Sequence, residues 1–138
     1  MLRIRQSLLV IVAASFASWS TAGCGDDDPS GPQDPGPTAG TLTLTLSTPN
    51  ADDGAILLVV TGPDMTQVEP TDPSLYFQLA EVDGRITALF VGDVTGGDLL
   101  RFHVPDLDAL ASYIPTIVDL ADRDNELRDS AGYELTLD

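Results

Sequence analysis

Residues 41–47 alternate strictly between a hydroxyl side chain and leucine, with Thr48 next, and this alternation restricts the possible folds more than any other feature of the chain. In an extended strand, successive side chains point to opposite faces. Leu42, Leu44 and Leu46 therefore share one face, and the threonines share the other. The pattern predicts a strand that buries one face and exposes the other to solvent.

Segments with strand-like composition follow at short intervals, separated by Gly, Pro, Asn and Asp. Residues 55–61 form a continuous apolar run, which predicts a buried strand. Asp83-Gly84 predicts a type I′ hairpin turn, because both central residues of that turn need positive φ. Residues 64–74 are predicted to form a loop, and residues 106–110 a brief helical turn. The predicted strands are 41–48, 55–61, 75–82, 85–91, 98–104, 112–121 and 133–138.

About seven strands in fewer than 100 residues, with no long helical pattern, predict an all-β fold: a single small antiparallel β-sandwich. The count and spacing resemble an immunoglobulin-like or fibronectin type III-like domain. Leu107, with Tyr113 six residues later, resembles the corner tyrosine that such domains place before their sixth strand. A small β-barrel or jelly-roll-like module is the alternative. A helix over residues 105–128 is a further possibility, against which Pro115 argues.

The first 23 residues have the composition of an export signal. Arg3 and Arg5 precede the apolar run 8–19, which is shorter than the roughly 20 residues that a membrane-spanning helix needs. The sequence Thr21-Ala22-Gly23-Cys24 then resembles the lipobox of bacterial lipoproteins, although Thr21 stands where the family usually has an aliphatic residue. The resemblance implies cleavage after Ala22 and Gly23, and lipid on Cys24. Secretion with cleavage elsewhere is the alternative.

Cys24 is the single cysteine of the chain, so no internal disulfide can form, and lipidation would give its thiol a role. Residues 24–40, which begin with an acidic run and are rich in Pro and Gly, predict a disordered tether. The predicted organisation is a lipoprotein signal peptide at 1–23, a lipidated linker at 24–40 and a β-sandwich at 41–138. The predicted location is the bacterial cell envelope, at the outer membrane or cell surface.

The charge of the chain restricts its partners. Removing residues 1–23 leaves four arginines against all 22 acidic residues, a net charge of −18, and there is no lysine. Nucleic-acid binding is excluded because it requires a basic surface. Adsorption of the domain itself to anionic lipid is disfavoured for the same reason. The expected partners are the membrane, reached through the N-terminal lipid, and an unknown envelope protein or glycan.

Calcium is the cofactor that this acidic chain could bind. Asp122, Asp124 and Glu126 occupy alternate positions, as in the opening of a calcium loop, but the later glycine and closing glutamate of such a loop are missing. Solvated loop acids are the alternative. Other candidate positions are Asp52, Asp53, Asp106, Asp108 and Asp119.

Catalytic motifs are not evident. His103 stands alone, and alternation places it on the solvent face of its strand. The chain has neither a nucleophile elbow nor a phosphate-binding loop. We therefore expect a non-catalytic binding or structural module. The alternatives are an accessory subunit of an envelope complex, which an exposed apolar patch larger than about 600 Å² would favour, and a calcium-stabilised adhesion-type domain.

Overall fold

The computed structural model describes residues 36–138. Ala22, Gly23 and Cys24, the signal peptide and most of the predicted tether lie outside this range. The described part forms nine strands and one short 3₁₀ helix, Leu107–Ser112. The strands are β1 Gly40–Ser47, β2 Asp53–Thr61, β3 Thr66–Pro70, β4 Tyr76–Val82, β5 Arg85–Val94, β6 Gly97–Val104, β7 Ile114–Asp122, β8 Leu127–Arg128 and β9 Glu134–Leu137.

The strands form two antiparallel sheets that pack face to face. The four-stranded sheet has the order β3-β6-β1-β9, and the five-stranded sheet has the order β4-β5-β2-β7-β8. Side chains of both sheets form one buried apolar cluster between them. The predicted all-β antiparallel sandwich is therefore confirmed.

The core follows from the alternation that the sequence displays. Leu42, Leu44 and Leu46 of β1 are buried, as predicted, and the threonines between them face outward. Phe90 and Phe102 are the largest fully buried side chains of the core. Each buried leucine contributes roughly 2 kcal/mol to folding through removal of its apolar surface from water.

Two short strands were not predicted. β3 lies in the segment predicted as a loop, and its pairing with β6 is irregular, with Gln67 at φ 51°. Pro70 is tolerated there because β3 is an edge strand, which is paired on one side only. β8 has only two residues and pairs with the end of β7.

The segment after β6 folds largely as predicted. The predicted helical turn is present as the 3₁₀ helix. The strand β7 lies where the alternative prediction had a long helix. Pro115 pairs with Val60 of β2, while β8 reaches only Leu120 and Ala121 on the other side of β7. At Pro115, β7 is therefore an edge strand, where proline is tolerated.

The β4–β5 hairpin has the predicted turn, with φ of 26° at Asp83 and 72° at Gly84. At the same end of the sandwich, the chain enters β1 against the 3₁₀ helix, because the backbone N–H of Leu107 donates to the carbonyl of Thr38 at 2.7 Å. The chain therefore already contacts the sandwich at Thr38, two residues before β1 begins. This end is called the entry end below.

Tyr113 immediately precedes β7, where the chain has crossed from one sheet to the other. Its ring packs against Phe102, with centroids 6.0 Å apart. Its hydroxyl is buried and has no hydrogen-bond partner within residues 36–138. A corner tyrosine donates that hydroxyl to nearby backbone, so Tyr113 lacks, within the described residues, the hydrogen bond that the resemblance implies.

Candidate functional site

The end opposite to the entry end contains a buried polar cluster centred on Asp53, the first residue of β2. The Asp53 side chain has no solvent exposure. The hydroxyl of Tyr133 donates to Oδ1 at 2.6 Å, and the hydroxyl of Thr48 donates to Oδ2 at 2.5 Å. Arg128 Nη1 also donates to Oδ1, at 2.8 Å. We call these four residues the Asp53 cluster.

Arg128 supplies the positive charge of the cluster and contacts two further carboxylates. It makes a bidentate pair with Asp52, with distances of 2.9 and 2.7 Å, and lies 3.6 Å from Asp122 Oδ2. Hydrogen bonding to Arg128 lowers the pKa of Asp52 below its ordinary value of 3.8, and the same bond raises the pKa of Arg128. Any stability that Asp52 contributes is therefore present above pH 3.8 and is lost as the pH falls through its lowered pKa.

The Asp53 cluster joins the two sheets. Thr48 follows β1 and Tyr133 precedes β9 in the four-stranded sheet, whereas Asp53 and Arg128 belong to the five-stranded sheet. A buried carboxylate is costly unless it is paired and hydrogen-bonded. Three donors from three segments meet this need for Asp53. Because the carboxylate is enclosed, it is not within reach of a substrate proton, as a general base would have to be.

The candidate calcium ligands Asp122, Asp124 and Glu126 form a tight turn between β7 and β8. Asp122 Oδ1 accepts the backbone N–H groups of Asp124 and Glu126, both at 2.9 Å. Asn125 has φ of 65°, which this turn requires. The carboxylate of Asp122 is thus occupied by two amides and by Arg128.

Residues 36–138 contain no group of three or more His, Cys, Asp or Glu side chains arranged to hold a metal ion. Asp52 and Asp53 both form ion pairs with the guanidinium of Arg128. Asp106 caps the 3₁₀ helix by accepting the N–H of Asp108 at 3.1 Å. Asp119 lies on the outer surface of β7. Calcium binding stays a prediction that this geometry does not strengthen.

Removing the hydroxyl from Tyr113 and from Tyr133 should have opposite effects on stability. Tyr113→Phe deletes a buried hydroxyl without a partner among the described residues, so we expect the free energy of unfolding to stay unchanged or to rise by up to about 1 kcal/mol. Tyr133→Phe deletes a hydrogen bond to the buried carboxylate of Asp53 and should lower the free energy of unfolding by about 2 kcal/mol. Urea unfolding of both variants tests this pair, and an equal loss in both would contradict it.

The outer face of the four-stranded sheet is polar. It presents the threonines of β1 together with Arg101 and His103 of β6. Arg101 lies 3.6 Å from Glu69, and the hydroxyl of Thr45 donates to Asp98 at 2.9 Å. His103 is half-buried and borders a shallow depression of about 200 Å³. This is the solvated face that the alternation of residues 41–48 predicted.

The outer face of the five-stranded sheet is largely apolar instead, with polar side chains between the apolar ones at Gln78, Arg85, Thr87, Thr116 and Asp119. One row of apolar side chains crosses all five strands in register: Tyr76, Val91, Ala55, Ala121 and Leu127. Tyr76 is 62% exposed and Leu127 is 79% exposed. We call this surface the apolar outer face.

Further apolar side chains extend this face toward the entry end. They alternate with the buried residues of the same strands: Leu57, Val59, Ala80, Val82, Leu89 and Ile114, with Val118 at a bulge in β7. Val82 is 67% exposed and Ile114 is 59% exposed. A shallow depression of about 400 Å³ lies beside the β4–β5 turn, lined by Ala80, Val82, Asp83, Arg85 and Thr87.

The apolar outer face explains the composition of β2. A continuous apolar run is typical of a strand covered on both faces. The inward side chains Ile56, Leu58 and Val60 are covered by the four-stranded sheet. The outward side chains Leu57 and Val59 belong to the apolar outer face. The sequence indicates that β2 is apolar on both faces. Only the register of the sheet shows that the neighbouring strands also have apolar side chains on the outer face.

Comparison with protein-family models, curated proteins and solved structures found no match to this chain. No helix within residues 36–138 is long and apolar enough to span a membrane.

Proposed function

We propose that the chain is a lipid-anchored protein of the bacterial cell envelope whose sandwich is a non-catalytic binding module. In this proposal, cleavage after Ala22-Gly23 exposes Cys24, which carries the lipid, and the residues up to Gly40 link it to the domain. The apolar outer face is the binding surface. The observation that carries the proposal is the contrast between the two outer faces. The outer face of the four-stranded sheet is polar, whereas that of the five-stranded sheet is largely apolar.

The extent of the apolar outer face bears on the choice between an accessory subunit and a free-standing module. Four strands of seven to ten residues and the two-residue β8, about 4.8 Å apart and with 3.4 Å per residue, give a sheet of roughly 600 Å², and apolar side chains cover the larger part of it. Contiguous exposed apolar patches larger than a few hundred Å² mark interaction surfaces. The module is therefore proposed to dock onto a larger assembly at the envelope.

The anchor is tested by metabolic labelling with palmitate. We expect the chain to incorporate label and to sediment with membranes, and Cys24→Ser to lose both properties, because two or three acyl chains hold a protein firmly at a membrane. Thr21→Leu is the matched control. It restores the aliphatic residue usual in a lipobox and should keep the label. Persistent label in Cys24→Ser would refute the anchor.

A further inference from the structure

We infer that the partner of the apolar outer face is a protein whose docking surface has an apolar centre and a rim rich in lysine and arginine. This inference rests on the proposed docking function and assigns its partner class. It follows from the area of the face, the charges around it and the charge of the whole chain.

The area of the face matches a protein partner. Stable protein interfaces bury about 800 Å² on each side, with an apolar centre and a polar rim. The roughly 600 Å² of the sheet, with its bordering loops, approaches that value. The depressions on this surface are shallow and open, whereas small molecules are bound in concave pockets.

The rim of the face is acidic. Asp83 lies at its entry-end corner, Asp119 lies on β7 just beyond the reach of β8, and Asp124 and Glu126 lie beside Leu127 at the opposite end. All four side chains are exposed.

The arginines near the face do not reverse this charge. Arg123 is engaged by Asp93 at 3.1 Å, and Arg85, exposed at the entry-end corner, is outnumbered by the four carboxylates. The interface is therefore an apolar centre with a negative border, which a positive border on the partner complements.

The same charge disfavours two other occupants. A second copy would place one acidic rim against another, and both copies carry a net charge of −18 after Cys24 becomes the first residue. An anionic lipid surface would be repelled in the same way. A protein with a basic rim would instead be attracted to the acidic border of the face.

The test places a photo-crosslinking amino acid at Leu89 of the full chain, in bacterial cells that produce it. Leu89 lies at the centre of the apolar outer face. The matched control places the same amino acid at Thr43, which lies outward on an inner strand of the other sheet and is also half-buried. We expect a protein adduct from position 89 and none from position 43. Mass spectrometry should map the crosslink to a surface rich in Lys and Arg.

Salt should weaken this contact. Washing isolated membranes at about 0.5 M salt before irradiation should lower the adduct yield at least about fivefold, because the Debye length falls below about 5 Å. A dimer of this chain, a lipid adduct or a protein contact without basic residues would overturn the partner class while leaving docking itself intact. Equal adducts at both positions, or none at either, would overturn the proposed function.

Discussion

Replacing Asp53 with alanine is expected to lower the free energy of unfolding by about 3 kcal/mol. The substitution leaves the hydroxyls of Thr48 and Tyr133 without their acceptor and removes the buried charge that faces Arg128. Because the cluster joins the two sheets, its loss affects the packing of both. Domains of this size are stable by only about 5–15 kcal/mol, so the change should be plain in a urea unfolding curve.

The matched control for this prediction is Glu69→Ala. Glu69 pairs with Arg101 on the surface, at 3.6 Å and with both side chains more than half exposed, so its loss should cost less than about 1 kcal/mol. A cost for Asp53→Ala no larger than that of Glu69→Ala would contradict the structural role of the cluster.

Replacing Leu89 with lysine is expected to release the domain from its partner. A charge placed at the centre of an apolar interface should cost at least about 2 kcal/mol of binding free energy, a loss of roughly thirtyfold in affinity. The stability of the domain itself should change little, because a lysine stem can cover the same surface while its ammonium reaches solvent.

Size-exclusion chromatography of detergent-solubilised membranes measures this release. The unmodified chain should elute with its proposed partner, and Leu89→Lys should elute as the free chain. Thr43→Lys makes the same chemical change on the polar outer face and should leave the elution unchanged. If both variants eluted like the unmodified chain, the apolar outer face would not be the contact.

The sequence was sufficient to predict the elements whose signals are local. The alternation of residues 41–48 predicted β1 and its buried side chains, and Asp83-Gly84 predicted the β4–β5 turn. In contrast, β3 and β8 are short edge strands that pair irregularly or over two residues, so their composition differs little from that of loops.

The candidate sites depend on contacts between distant parts of the chain. Asp53 was considered as a calcium ligand, and nothing local indicated that Arg128, 75 residues later, would face it. The scarcity of arginine, with only four after residue 23, was the one signal that could have drawn attention to it. The continuous run in β2 indicated a covered strand, but the row from Tyr76 to Leu127 exists only through the register of five strands.

The most direct test of the central claim is the accessibility of the apolar outer face in the native envelope. If Cys24 is blocked by lipid, a cysteine introduced at Leu89 or at Thr43 is the one free thiol, and the unmodified chain is the blank. Intact cell envelopes are treated with a maleimide that adds a polymer of visible mass, before and after solubilisation in detergent and salt. We predict that position 89 is protected in the envelope and labelled after solubilisation, and that position 43 is labelled in both. Equal labelling of both positions in the intact envelope would contradict the claim.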